Sequence, residues 1–475
     1  MKVKLLLSSA VAVLLSTGLA LQANAVTNTE KKVAASTESA SSDENTKSDA
    51  TSDDTAANDA LPQAPTLKIS GFTVFNLYGN SQRDNFAKSN GTHASIDVSE
   101  LAFNIYGVTA TGITYGYTVR FRVRPGTDAE IRRNYIQFAG WFGKVVLGAA
   151  PGPDQTLIKG SARLATGTGM FAGGYTSVIN ASAGVFTGDK MVGSPEDAVK
   201  IAYYTPKFWD CLILAAAFTP NTSHVDDNSQ NNRDSGGHSG PPGNTKSVYP
   251  NRARRPFGIN NMSFGALLEQ EFETWLYAVS GAMIFDKSKY VKTGTLKNAD
   301  GTPSDQTGGN QGFSIKGTKS YRLAAMIGFK DIMEGLLEFA VGFMNNKKSR
   351  MPENNMVKIG DVELTDVHEG NAGRTYDGAV RYSKGMWRFA VAHQRTVRKT
   401  DATQKATAHV SSIGVDVIPV QGLKFSAEVT RAHMKTNEKT RALHQRILNS
   451  VESRQKKAIG DNHGTAVIFS SSVNF

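Results

Sequence analysis

Residues 115–124 read Y-G-Y-T-V-R-F-R-V-R, from Tyr115 to Arg124. In a β-strand successive side chains point to opposite faces, so Tyr115, Tyr117, Val119, Phe121 and Val123 share one side, and Thr118, Arg120, Arg122 and Arg124 the other. One face is oily and the other cationic. Three arginines in register repel one another unless water or acidic groups face them. A membrane barrel meets both demands, with lipid on the tyrosine and valine side and a water-filled lumen on the arginine side.

The same alternation recurs on both sides of this strand. Upstream, Ile69 to Tyr78 and Leu101, Phe103 and Ile105 carry it, with Glu100 and Asn104 on the opposite face. Thr109 to Gly112 is a tight turn, Pro125 to Asp128 a very short connection, and Ile131 to Ala139 returns with Ile136 and Phe138 out and Arg133, Tyr135 and Gln137 in. Further strands follow around Val145, Val199, Leu212, Ser263, Leu276, Tyr321, Leu337, Tyr376, Trp387, Ile413, Leu423 and Gly464. Short turns alternate with long polar connections, the rhythm of an outer-membrane hairpin array. The count is about sixteen, and an antiparallel barrel with both ends on one side needs an even number. Trp141, Trp209, Trp275 and Trp387 all fall at or beside the short turns. Amphipathic indoles prefer a membrane interface, so they mark an aromatic belt at the periplasmic edge.

Residues 1–25 read as a signal peptide: Lys2 and Lys4 precede an apolar core from Leu5 to Leu21, and Ala23-Asn24-Ala25 is a small-residue cleavage site. Residues 26–65 are rich in Ala, Ser, Thr and Asp and poor in large apolar groups, the composition of a disordered acidic periplasmic segment. Residues 66–475 form the expected barrel domain. The formal charge of the whole chain is +11. Residues 1–25 hold two lysines and no acid, and 26–64 hold eight acids against three lysines, so the remainder carries +14. Cys211 is the only cysteine, which excludes an intramolecular disulfide. After residue 25 no apolar run is long enough for a transmembrane helix.

The stretches R-N-Y-I-Q-F-A-G-W-F-G-K-V-V-L-G (Arg133 to Gly148), A-V-K-I-A-Y-Y-T-P-K-F (Ala198 to Phe208) and Q-G-L-K-F-S-A-E-V-T (Gln421 to Thr430), with the terminal Phe475, resemble the Gram-negative general porin family. The resemblance covers about residues 67–475. It implies a trimeric, all-β, sixteen-stranded transmembrane barrel in the outer membrane, with long extracellular loops and a third loop folded inward to constrict the pore. It also implies contact with outer-membrane lipid and lipopolysaccharide, and recognition of Phe475 by the barrel assembly machinery. The expected activity is passive diffusion of small solutes and ions, without a cofactor.

Carried onto this chain, the constricting loop is Ala149 to Glu196, and the basic ladder on the wall is Arg120, Arg122, Arg124 and Arg133, joined by Lys200. The loop acids are Asp154, Asp189 and Glu196, with Asp197 at the margin, against Lys159, Arg163 and Lys190. A net positive eyelet favours anions, because a focused field raises their local concentration and lowers their entry barrier. Two features depart from the family pattern. The second connection is too short to latch onto a neighbour, so a trimer would rest on flat apolar wall. The last connection is basic, and Leu443, Ile447 and Val451 recur at helical spacing, which allows a helix whose cationic face could meet lipopolysaccharide phosphates.

No metalloprotease, paired-cysteine or nucleophile-elbow pattern is present, so neither an enzyme nor a metal site is expected. The glycines at 167, 169, 173 and 174 lack the strand-turn-helix setting of a phosphate-binding fingerprint. No interleaved aromatic platform suggests nucleic acid. Two alternatives to a diffusion pore remain: a ligand-selective channel for phosphate or organic acids, and a structural or adhesive barrel.

Overall fold

The computed structural model describes residues 63–83, 90–123, 130–167, 179, 191, 194–195, 197–221, 259–287, 289–292, 312–315, 317–347, 356–359, 362–365, 373–399, 405–436 and 460–475. The signal peptide, residues 26–62, and the helix expected in the last connection lie outside these.

The chain opens with β1 (Gln63–Gln82), β2 (Gly91–Val108), β3 (Thr114–Val123), β4 (Glu130–Gly140) and β5 (Gly143–Ala149). The third long connection holds a short helix, α1 (Pro153–Thr156), and a single 3-10 turn, Ser161–Arg163. Next come β6 (Val199–Tyr204), β7 (Leu212–Asn221), β8 (Ile259–Glu271) and β9 (Trp275–Lys287). The hairpin pair β10 (Lys289–Lys292) and β11 (Gly312–Ile315) precedes β12 (Lys319–Ile332) and β13 (Gly335–Asn345). A second small pair, β14 (Met356–Ile359) and β15 (Val362–Thr365), precedes β16 (Gly373–Lys384), β17 (Trp387–Lys399), β18 (Lys405–Val420), β19 (Leu423–Lys435) and β20 (Asn462–Asn474). The sequence pattern had shown neither small pair, each strand being only four residues long.

Leaving out the two small pairs, sixteen strands form one closed antiparallel barrel in which each pairs with the next in chain order. Closure comes from β1 against β20, in register from Phe72 opposite Asn474 to Gln82 opposite Gly464. Gly71 and Phe475 seal this seam with reciprocal backbone hydrogen bonds of 2.9 Å. A closed ladder leaves no strand edge unsatisfied, the condition for spanning hydrocarbon with strands. β1 starts at Gln63, inside the segment expected to be tail. Of that segment, only the last three residues are among those described, and they pair with or flank β2.

The short turns depend on unusual backbone. Met333 and Glu334 both adopt positive φ, 51° and 64°, matching the tight primed turn that suits the twist of β12 and β13. At Gly143, φ is 98° and a Cβ would collide with the Tyr204 carbonyl, so glycine is required where β5 leaves its turn.

Apolar side chains face outward along every barrel strand. Ile69, Ile136, Ile201, Met283, Leu323, Val341, Val391, Ile413 and Phe469 each expose half their surface or nearly so. An apolar surface this continuous aggregates in water and is at rest in a bilayer. Trp141 and Trp209 lie in short turns, and Trp275 and Trp387 open the strands that leave short turns. All four therefore stand at the same end of the barrel.

The buried core lies inside, between the wall and the third connection. Alanines dominate the inner face there: Ala202, Ala217, Ala278, Ala324, Ala340, Ala392, Ala408, Ala432 and Ala466 are all nearly inaccessible. Small side chains leave room for a chain segment to lie against the wall.

Candidate functional site: a guanidinium cluster facing an inward-folded loop

Arg120 on β3 stands opposite Arg133 on β4, but one step on, Phe121 pairs with Ile131. Arg132 is thus the extra residue of a β-bulge. A bulge lets two neighbouring side chains share a face, which strict alternation forbids. Arg132 and Arg133 both turn inward as a result, and their side chains are 20% and 6% exposed.

Two carboxylates hold this cluster. Glu100 on β2, its side chain 1% exposed, accepts from Arg120 Nη1 at 3.2 Å, Arg122 Nε at 2.6 Å and Arg132 Nη1 at 2.7 Å. Asp197 accepts from Arg132 Nε and Arg133 Nε, both at 2.8 Å. Arg132 therefore bridges the two acids. Register explains the convergence: Glu100 pairs with Arg122, and Ala102, which pairs with Arg120, is too small to interpose. Four guanidinium groups outnumber these two carboxylates, and Glu130, paired opposite Arg122 on the same face, adds a third acid, which leaves these groups net positive by one charge. Burial pushes the Asp197 carboxyl up, but Arg133 and Arg132 outweigh it and hold the group well below the usual carboxylate range.

The third connection crosses the barrel interior. Near its start, Lys200 Nζ donates to the Ala150 carbonyl, and Thr156 Oγ1 lies 3.1 Å from the Tyr204 hydroxyl. Pro153 and Leu157 rest against Gly265, where an added Cβ would come within 3.0 Å of each. The Lys159 amide donates to Ser280 Oγ at 2.9 Å, and Lys159 Nζ pairs with Glu269. Further across, Ser161 bonds Asp377, and Arg381 donates to the Arg163 carbonyl at 2.8 Å while pairing with Glu338 at 2.7 Å. The Gly167 amide ends this run on Asp416 Oδ1 at 3.0 Å. Leu164 and Ile179, both fully buried, join Tyr78, Val410, Met434 and Ile468 in an apolar cluster on the inner face of β1 and β18 to β20. The loop is thus seated on the wall opposite the arginines, and that seat is partly apolar where the sequence pattern implied an aqueous lining throughout.

The ladder residues fall into three groups. Arg120, Arg122 and Arg133 come together, tied to carboxylates instead of standing bare in water. Lys200 beneath the loop and Asp154 on it are buried, 1% and 6% exposed, and Ser194 Oγ donates to Asp154; both hold the loop in place. Their polar heads are drawn to nearby backbone and hydroxyl groups because the loop covers them from water. Arg124, Asp189 and Glu196 lie outside the described residues, as does Lys190. The strand pattern missed Arg132, Glu100 as a partner, and Asp197 as the loop's ionic anchor. An Arg-Arg doublet inside an otherwise alternating strand was the available signal for a bulge. Among the described residues no group of His, Cys, Asp and Glu is arranged to hold a metal ion.

A closed sixteen-stranded barrel with an apolar outer wall, an ionic interior and an inward-folded loop is a transmembrane β-barrel of the porin kind. Its closed ladder and exposed apolar belt are those of a protein of the Gram-negative outer membrane. Solved structures align with the chain at low identity. An anion-selective porin from Comamonas acidovorans aligns over 87% of this chain and 100% of its own, at 13% identity and a TM-score of 0.49. A loop-L8 deletion form of OmpT, an outer membrane protein of Vibrio cholerae, aligns over 87% and 100% at 10% identity and 0.49. Salmonella typhi OmpF in complex with daunomycin aligns over 86% and 97% at 12% identity and 0.48. No family model matches the chain, and no curated protein matches it in sequence.

Proposed function

We propose that this chain is a passive diffusion porin of the general type, a homotrimer whose eyelet favours small anions. The observation that supports this most directly is the net cationic cluster of Arg120, Arg122, Arg132 and Arg133 around Glu100 and Asp197, beside the inward loop. Fixed cationic charge at a narrow point lowers the entry barrier for anions and raises it for cations. The carboxylates hold the guanidinium groups in place while leaving them in excess. No bond is made or broken in the transit. Phe475, its backbone bonded to Gly71 and the residue 69% exposed at the seam, suits recognition by an assembly machinery that reads the last strand. The test is reconstitution of the folded chain in a planar bilayer under a potassium chloride gradient. Stepwise conductance with the reversal potential displaced toward chloride is the expected result, and folded protein that gives no steps would overturn the reading.

A second reading, a channel selective for phosphate or organic acids, draws on the same cluster. Four guanidinium groups held within one network offer planar donors that match oxyanions better than chloride. Block of chloride current by low concentrations of inorganic phosphate, relieved by Arg122→Ser, would favour it over general diffusion.

A further inference from the structure

Toward the tryptophan end of the barrel, the inner wall beneath the guanidinium cluster changes character. Arg120 and Arg133 form one inward row with Ala102. The next inward row on β2 to β4 is Asn104, Thr118 and Tyr135, and the one after it Tyr106, Gly116 and Gln137. Neither row holds a charge on these strands, and the first is flanked by Lys68 on β1 and Lys200 on β6. Inward rows are two residues, about 7 Å, apart along a strand. Guanidinium groups, then phenols and amides, therefore line one continuous track down the wall.

The track offers both a flat aromatic surface and a polar strip. Gly116 carries no side chain, and a Cβ there would meet the Tyr106 ring at 3.0 Å and Gln137 at 3.2 Å, so the phenol lies along the wall over the glycine. A ring held that way turns its other face to the lumen, and Tyr106 and Tyr135 are both half-buried, neither sealed nor fully in water. Beside them Thr118 Oγ1 donates to Asn104 Oδ1 at 3.0 Å, and Asn104 Nδ2 donates to Ser70 Oγ at 3.2 Å, which fixes the amide in place. At the head of the track, the more accessible guanidinium groups are those of Arg132 and Arg122, 20% and 16% exposed against 6% for Arg120 and Arg133.

We infer that this track binds a sugar acid, a pyranose bearing one carboxylate, with the carboxylate held at the Arg132 end and the ring stacked first on Tyr135 and then on Tyr106. Guanidinium donors match a carboxylate in a planar fork. The single net positive charge of the cluster balances a monoanion and leaves a phosphate dianion undercompensated. The C–H face of a pyranose packs on the electron-rich face of a phenol, and its hydroxyls meet Asn104, Thr118 and Gln137. Chloride, acetate or phosphate would use only the head of the track. The inference rests on the anion-favouring pore proposed above and names its solute.

The full-length folded protein in mild detergent is mixed with D-galacturonate, D-galactose, acetate or inorganic phosphate, and binding is read by saturation-transfer NMR and by competition. Galacturonate should bind about tenfold or more tightly than galactose or acetate, with saturation strongest on its ring C–H protons. Equal binding of galacturonate and galactose by the unaltered chain overturns the inference, because the carboxylate is then not read. Equal binding of galacturonate and acetate does the same, because the ring is then not read, as does full displacement of galacturonate by an equal concentration of phosphate. Combined Tyr106→Ala and Tyr135→Ala should bring galacturonate down to the level of acetate, and a folded variant that keeps the preference overturns the assignment to this track. Conductance is measured on the same preparation. A chain that conducts with chloride preference but does not favour galacturonate sinks this inference alone, and one that binds galacturonate but never conducts sinks the pore.

Discussion

Arg132 on β4 donates to Asp197 at 2.8 Å, and this ion pair ties the wall to the point where the third connection rejoins it. The same guanidinium reaches back to Glu100 on β2. One bulged residue thus joins the two acids and gives the loop one of its footings.

Glu100→Gln should make the pore more anion-selective and less stable. The substitution removes one of the carboxylates facing the four arginines, raising the local charge by one. Breaking a buried ionic network by deleting one partner costs about 3–5 kcal/mol, and the lower end applies where Arg132 keeps some access to water. The reversal potential should move toward chloride while the heat-induced mobility shift on gels falls to lower temperature. A shift toward potassium would show that Glu100 does not set the field.

Arg132→Ser should act in the opposite sense. It lowers the local charge by one and frees Asp197 from one of its two guanidinium partners. Chloride preference should weaken and open-channel noise should rise as the loop loses an anchor. Noise equal to that of the unaltered chain would mean that the remaining seats hold the loop alone.

Leu164→Ala tests the apolar seat. Leu164 is wholly buried with Ile179, Met434 and Ile468, and such a truncation costs about 2–5 kcal/mol of local packing. The barrel ladder does not depend on this contact, so folding should persist while conductance becomes larger and more variable. Gly160→Val attacks the neighbouring footing, where a Cβ would come within 2.8 Å of the Ala324 methyl, and should give the same phenotype.

Acid should leave the eyelet unchanged over a wide range. Arginine holds the Asp197 carboxyl below its unfolded value, so its contribution to stability is present above the ordinary carboxylate range and is lost only as pH falls through the depressed value. Ion selectivity measured from about pH 8 to about pH 5 should be flat in the part owed to Asp197. The Asp197→Asn chain provides the comparison, and an acid transition in this window that it abolishes would contradict the assignment.

The two solvents of the wall predict an asymmetry between neighbours on β18. Ile413 is 59% exposed on the outer face, and a lysine there should cost about 2–4 kcal/mol of membrane folding near the midplane. Ser412 points inward, and a lysine there should chiefly alter conductance. Equal effects on folding in lipid vesicles would deny that the two faces meet different solvents.

Strand number, closure and facing were legible in the chain because alternation is a local property: each apolar residue two places from the next records which side meets hydrocarbon. The tryptophans marked their membrane edge for the same reason, since an indole at an interface needs only its own turn. Tyr117 and Arg120 could be assigned to opposite faces before any coordinates. What the arginines face was not legible. Arg132 breaks alternation through a bulge that depends on how β3 and β4 pair, and Glu100 and Asp197 reach the cluster across neighbouring strands and a returning loop. Lys200 read as lumenal because its face was right, but the loop that covers it comes from fifty residues earlier in the chain. Sequence by itself determined the wall, because facing repeats every two residues. Only the tertiary structure decided the eyelet, because its charge is a sum over side chains far apart in sequence that closure of the barrel brings within hydrogen-bonding distance.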